Sequence, residues 1–204
     1  VKTAHLGTID AGLGTQSEEG LHIVSCSLIT DIKRIDKIID ILEKLEKTGK
    51  YKIKWTHIGD GNRRFELEKS VRKKLKKTDT EFLGNIPNNE VYEFYRNNPV
   101  DLFISTSKSE GLPVSMMEAA SFGIPIVSTD VGGVREIVES GYNGQLLGER
   151  ASADEFADFI KRYYGMDKSE RDFYRENSRK LWERSFNAGK AYPDFFSMPV
   201  LSRS

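Results

Sequence analysis

Short apolar runs rich in β-branched residues alternate along this chain with charged segments of helical period, and that alternation restricts it to one fold class. Leu21-His22-Ile23-Val24-Ser25-Cys26-Ser27-Leu28-Ile29 reads as a strand buried on both faces. From about residue 34 to 47, Ile35, Ile38, Ile39, Leu42 and Leu45 recur at helical spacing with charges between them. The unit then repeats: a strand at 51–58 closed by Gly59-Asp60-Gly61, a charged helix at 63–76, a short strand at 80–84, a helix at 89–95 and a strand at 101–107. A further helix starts near Pro113, whose fixed φ suits a first turn, and stops at Gly123. Strands at 125–129 and 144–147 and helices at 153–164 and 168–186 complete the pattern. Strands alternating with helices of about 10–15 residues imply right-handed crossovers and a mostly parallel α/β sheet with helices on both faces. Such sheets bind ligands beyond the carboxyl ends of their strands, so candidate site residues should follow strands directly.

Composition narrows the function. Lys plus Arg equals Asp plus Glu at 31 each in 204 residues, which gives no support to a nucleic-acid partner. The one cysteine, Cys26, excludes an internal disulfide and fits a reducing, cytoplasmic setting. No apolar run approaches the roughly 20 residues of a membrane-spanning helix, and the first residues lack a secretory pattern and an initiator Met. His5, His22 and His57 have no metal-ligand spacing, so no metal is expected. Residues 1–20, glycine-rich and poor in large apolar side chains, read as a linker remnant from a missing N-terminal domain. The folded domain is expected over 21–190, with a tail at 191–204.

The segment running from Ser107 through Glu110-Gly111-Leu112-Pro113-Val114-Ser115 to Glu118-Ala119-Ala120 carries the chemistry. A strand ends, a glycine turn follows and a helix begins, so unpaired N–H groups and the positive end of the helix dipole make an anion site. Pro113 has no N–H, which leaves Leu112, Val114 and Ser115 as donors. Glu118 lies between Met116-Met117 and Ala119-Ala120 on a helix that should be buried, where a carboxylate is costly unless paired or hydrogen-bonded. Two sugar hydroxyls would satisfy it; a structural ion pair or a solvent-facing helix edge would too. Glu110, at the helix mouth, is either a ligand contact or a plain loop carboxylate favouring the helix N-terminus.

Glu110 and Glu118 form an E-x7-E pattern. Together with the surrounding EGLPVSMMEAASFGIPIVSTDVGGVREIV it closely resembles glycosyltransferase family 4, most densely between Leu102 and Val138. The resemblance implies the C-terminal, Rossmann-like half of a GT-B enzyme, a retaining transferase whose donor is a UDP-sugar or GDP-sugar and whose acceptor is a glycan or a lipid-linked molecule. No cofactor or metal is implied. Glu118 would hold the ribose hydroxyls, Glu110 would contact the donor sugar, and the backbone of Gly111, Leu112, Val114 and Ser115 would meet sugar and diphosphate. Gly59 and Gly61 would line the nucleotide pocket, although a tight structural turn explains them equally well. Asn85 and Ile86 would hold the base through their backbone or simply form a strand-to-helix turn. Lys33 matches the family cation that neutralises the diphosphate or is simply a solvated cation, and Arg34 could share either role. Five residues before Lys33, where members often carry arginine, this chain has Leu28.

Three secondary features remain. The basic run 72–77 is either a solvated helix face or a contact to anionic lipid, which would place the full-length protein peripherally at the inner face of a membrane. The late aromatics, from Tyr163 to Phe186, are expected to pack terminal helices on the sheet. Two rival readings are another GT-B enzyme, such as a nucleotide-sugar 2-epimerase, and a non-catalytic doubly wound module such as a phospho-acceptor receiver. Ser128-Thr129-Asp130 offers the receiver no lysine after its last strand.

Overall fold

Every strand expected from the apolar runs forms, and all six join one parallel sheet in the order β3-β2-β1-β4-β5-β6. The computed structural model describes residues 6–190; the first five residues, His5 among them, and the expected 191–204 tail lie outside the described residues. In chain order the elements are β1 (Leu21–Cys26), α1 (Ile35–Lys47), β2 (Ile53–Ile58), α2 (Arg64–Lys74), β3 (Asp79–Gly84), α3 (Asn88–Asn97), β4 (Leu102–Ser105), α4 (Val114–Ser121) and β5 (Ile126–Thr129). A 3-10 turn (Gly132–Glu136), β6 (Gly144–Leu147), α5 (Ala153–Gly165) and α6 (Lys168–Ser185) follow. The chain leaves the sheet's centre in one direction through β2 and β3, then returns to place β4 on the other side of β1. The topological switch point therefore lies between β1 and β4.

Two apolar layers cover the sheet. One packs α1, α2 and α5 against Ile23, Trp55, Leu102 and Ile104; the other packs α3, α4 and α6 against Val24, Ile58, Phe103 and Ile126. Neighbouring residues of the central strands thus enter opposite cores, which is why β1 and β4 read as near-continuous apolar runs. Tyr163, Trp182 and Phe186 are buried in these layers, while Phe173 is exposed.

Several boundaries shift by a few residues, and two of these shifts bear on the site. β1 ends at Cys26, and the segment beyond it is tied to the neighbouring loop: Ser27 N–H donates to Ile58 O and Ile29 N–H to Asp60 O, both at 2.9 Å. Pro113 stands just outside α4 with an extended ψ of 108°, so Val114 is the first helical residue. Residues 6–20 form no helix or strand, yet Thr8 pairs with Asn187 through an isolated bridge and accepts from Trp182 Nε1 at 2.7 Å.

Candidate functional site

The loops after β1 and β4 are fastened together at the switch point. Lys108 N–H donates to Ile32 O at 2.8 Å, and the Thr106 hydroxyl donates to Arg34 O at 2.8 Å. Arg34 is the only described non-glycine residue with positive φ, at 50°. Its guanidinium donates to the carbonyls of Thr106, Ser107 and Glu149. Arg34 therefore straps the loops together through its Nε and Nη2.

Lys33 and Glu110 meet across this seam. Lys33 Nζ donates to both Glu110 carboxylate oxygens at 2.7 Å, with the side chains 25% and 9% exposed respectively. They line a narrow crevice with Cys26, Ser27, Ser115 and Met116 between the carboxyl ends of β1 and β4. Larger surface hollows lie elsewhere, one along α6 beside Leu13 and Phe122 and another by His22 and Lys54 at the strands' amino ends. Neither sits where a doubly wound sheet places its ligand, nor does either combine a cation with open helix amides. Leu28 is 63% exposed, so an apolar side chain faces solvent just after β1.

Above the crevice, α4 presents its N-terminus. Met116 and Met117 N–H groups both donate to Pro113 O, at 3.1 and 3.3 Å. The N–H groups of Leu112, Val114 and Ser115 donate to no partner among the described residues. Three donors at the positive end of a helix dipole can receive an anion's oxygens. Gly111 adds space, since a Cβ built there meets nothing within 4 Å. The neighbouring Gly132 and Gly133 are the opposite case: a Cβ on Gly132, whose φ is +55°, would lie 1.8 Å from Glu110 O, and one on Gly133 2.7 Å from Gly111 O. These two glycines support the 110–111 turn from behind, and Gly133 N–H donates to Gly111 O at 2.8 Å. In the sequence, the doubled glycine shortly after β5 is the one local signal of this role.

Glu118 is 4% exposed on α4. No cation pairs with it among the described residues, so the ion-pair reading does not apply. Asn88 Nδ2, at the start of α3, donates to its Oε1 at 2.6 Å. Burial pushes the Glu118 carboxyl above its ordinary range, while the Asn88 bond opposes that rise. Cys26, Tyr92 and Tyr95 also face it, and burial with Glu118 nearby drives the Cys26 thiol and the Tyr92 phenol each up to about 12.

Gly59 and Gly61 are explained by the chain itself: a Cβ on Gly59 would stand 2.0 Å from Ser27 O, and one on Gly61 2.3 Å from Ile29 O. Their turn lies beside the β1–α1 loop, and Gly59 N–H pins Gly84 O at 2.8 Å, which positions the Asn85-Ile86 segment. Asn85 is exposed and Ile86 packs partly on the α3–α4 layer.

Six parallel strands in this order, with a cation, open helix amides and a buried carboxylate gathered at the switch point, define the class: a Rossmann-like α/β domain of the kind that builds GT-B glycosyltransferases. The chain belongs to the glycosyl transferases group 1 family, whose model matches residues 14–181. It is 34% identical over 120 residues to the O-antigen biosynthesis glycosyltransferase WbnH of Escherichia coli, a stretch covering 58% of this chain and 31% of WbnH. The lipopolysaccharide outer core galactosyltransferase WaaB in its apo form superposes with a TM-score of 0.78 at 20% identity, over 96% of this chain and 55% of WaaB. Anabaena Alr3699/HepE in complex with UDP and glucose superposes with a TM-score of 0.70 at 20% identity, over 88% of this chain and 49% of HepE. The chain thus spans about a third of WbnH and about half of each of the two structural neighbours.

Proposed function

We propose that this domain is the C-terminal, donor-binding half of a retaining glycosyltransferase that moves a hexose from a nucleoside diphosphate to a glycan or lipid-linked acceptor. The observation that carries the reading is Glu118: a buried carboxylate with no cationic partner among the described residues, on the helix whose N-terminal amides stand open beside Lys33. A ribose diol supplies the two donors such a carboxylate lacks. Lys33 exchanges Glu110 for the diphosphate, and the α4 amides complete the neutralisation without a metal ion. Preorganised donors aimed at the charge that develops on a departing phosphate are the main catalytic term open to such a site. Glu110, released from Lys33, faces the donor sugar, and the acceptor attacks from the face the nucleotide leaves. HepE's complex with UDP and glucose supports a UDP donor ahead of GDP. An N-terminal domain presents the acceptor, so the isolated chain turns over little. The full-length protein works in the cytoplasm, at most peripherally at the membrane; among the described residues no helix is long and apolar enough to cross one.

Titration of the chain with UDP, GDP and ADP under thermal unfolding tests this. Ligand at about ten times Kd stabilises by roughly 1.4 kcal/mol, or about 3–6 °C for a domain of this size. One nucleotide should produce that shift, and Glu118→Gln should abolish it. The variant should itself melt higher than wild type at neutral pH. In wild type the folded-state Glu118 carboxyl titrates above the unfolded one, so its ionisation costs stability as pH rises through that interval, and the variant's gain should vanish below the unfolded value of 4.5. No shift with any of the three at millimolar concentration overturns the reading.

A further inference from the structure

Asn88 is the exposed first residue of α3, one position inside the helix from Pro87, which occupies the cap. Here no side-chain cap bond forms at that end; the amide instead reaches across to Glu118 on α4, 2.6 Å away. An ionised carboxylate can only accept, so the amide nitrogen must be the atom facing it. It is the one hydrogen-bond donor to the Glu118 carboxylate found among the described residues. The other groups facing this carboxylate are the Cys26 thiol at the end of β1 and the Tyr92 and Tyr95 phenols on α3, none of them cationic.

We propose that Asn88 is a positioning residue: its amide fixes the plane of the Glu118 carboxylate and holds it ionised, so that a vicinal diol meets a preoriented acceptor. This rests on the nucleotide reading of the Glu118 site and extends it to a residue outside the E-x7-E segment. A carboxylate offers about four lone-pair sites, so Oε1 can keep Asn88 while the two oxygens share the two hydroxyls. Losing the amide leaves the carboxylate free to rotate and to take up a proton in its buried setting, and both effects fall on the diol.

The test compares wild type, Asn88→Ala and Asn88→Asp for binding of whichever of UDP, GDP and ADP shifts the melting temperature, and of its 2′-deoxy form. Wild type should lose about tenfold in affinity on removal of the 2′-hydroxyl, as expected for one hydrogen bond to a charged group. Asn88→Ala should weaken the ribonucleotide by about three- to tenfold and shrink the 2′-deoxy penalty, because the acceptor is no longer oriented. Asn88→Asp, which puts a second carboxylate against Glu118, should weaken binding further. A purely structural Asn88 would lower the melting temperature and leave the 2′-deoxy penalty intact, which would overturn the proposal. A second readout needs no nucleotide: carboxyl-carbon NMR should show Glu118 titrating at higher pH in Asn88→Ala than in wild type, and an unchanged titration also overturns the proposal. If Glu118→Gln leaves nucleotide affinity unaltered, the ribose reading itself fails; if Glu118→Gln abolishes binding while Asn88→Ala matches wild type, only the role of Asn88 fails.

Discussion

Gly111 and Gly132 are near neighbours in space, yet they lack side chains for different reasons. A methyl group at Gly111 would enter open space, whereas one at Gly132 would strike Glu110 O from a backbone with φ of +55°. Gly111→Ala should therefore change stability by less than about 0.5 kcal/mol while weakening donor binding, because only a ligand can feel the added carbon. Gly132→Ala should cost more than about 2 kcal/mol, combining left-handed strain with backbone overlap, and should displace Glu110 as well. Denaturant titrations of both variants, each followed by nucleotide binding, check the pair; equal losses of stability would contradict it. In the sequence the two look alike, each a glycine in a loop after a strand. Gly111 was legible as a candidate because a helix N-terminus follows it. The requirement at Gly132 depends on a carbonyl 22 positions earlier in the chain, and no local pattern carries that. Arg34 shows the same limit: adjacency to Lys33 made it a candidate phosphate cation, but its bonds to the carbonyls of Thr106, Ser107 and Glu149 depend on segments remote in sequence.

Among the elements, α4 carries the site and α6 supports it. Leu181 and Trp182 of α6 share one apolar layer with Met116, Met117, Ala119 and Ala120 of α4. The start of α6 is set by a capping box: Asp167 Oδ1 accepts from Glu170 N–H and Glu170 Oε2 from Asp167 N–H, both at 2.9 Å. Asp167→Ala should cost about 1 kcal/mol, lowering Tm by about 2–4 °C, and should leave nucleotide affinity unchanged because α6 meets α4 far from this cap in sequence. Parallel melting and binding curves measure both, and a binding loss would show that α6 does more than support. Helix and strand identities were legible because burial on one or two faces leaves a period in the chain. The start of α4 at Val114 was less so: proline's φ suits a first turn, but its extended ψ kept Pro113 outside the helix.

For the molecule as a whole, buried histidines govern the response to acid. His57 is fully buried beside Trp55 and Phe82, with Nδ1 2.8 Å from the Ser25 hydroxyl, and burial pushes it down to about 4 from 6.5. Because its folded value lies below the unfolded one, its contribution is complete above pH 6.5 and is lost as pH falls toward about 4, a total of about 3 kcal/mol. His22, also lowered by burial, acts in the same direction, while Glu118 acts in the opposite one. Unfolding free energy should thus begin to fall near pH 6.5, and His57→Gln should flatten that limb; a profile flat down to the carboxylate range would refute this. The sequence by itself determined the α/β class, the alternation of elements and the placing of chemistry after strands, because burial and helical period are local constraints that every segment must satisfy. The tertiary structure decided the rest: which strands flank the switch point, that Lys33 meets Glu110 across 77 positions, that Asn88 rather than a cation meets Glu118, and which glycines are filled by the chain itself. Those outcomes depend on contacts between segments remote in sequence, where distance and direction exist only once the sheet has assembled.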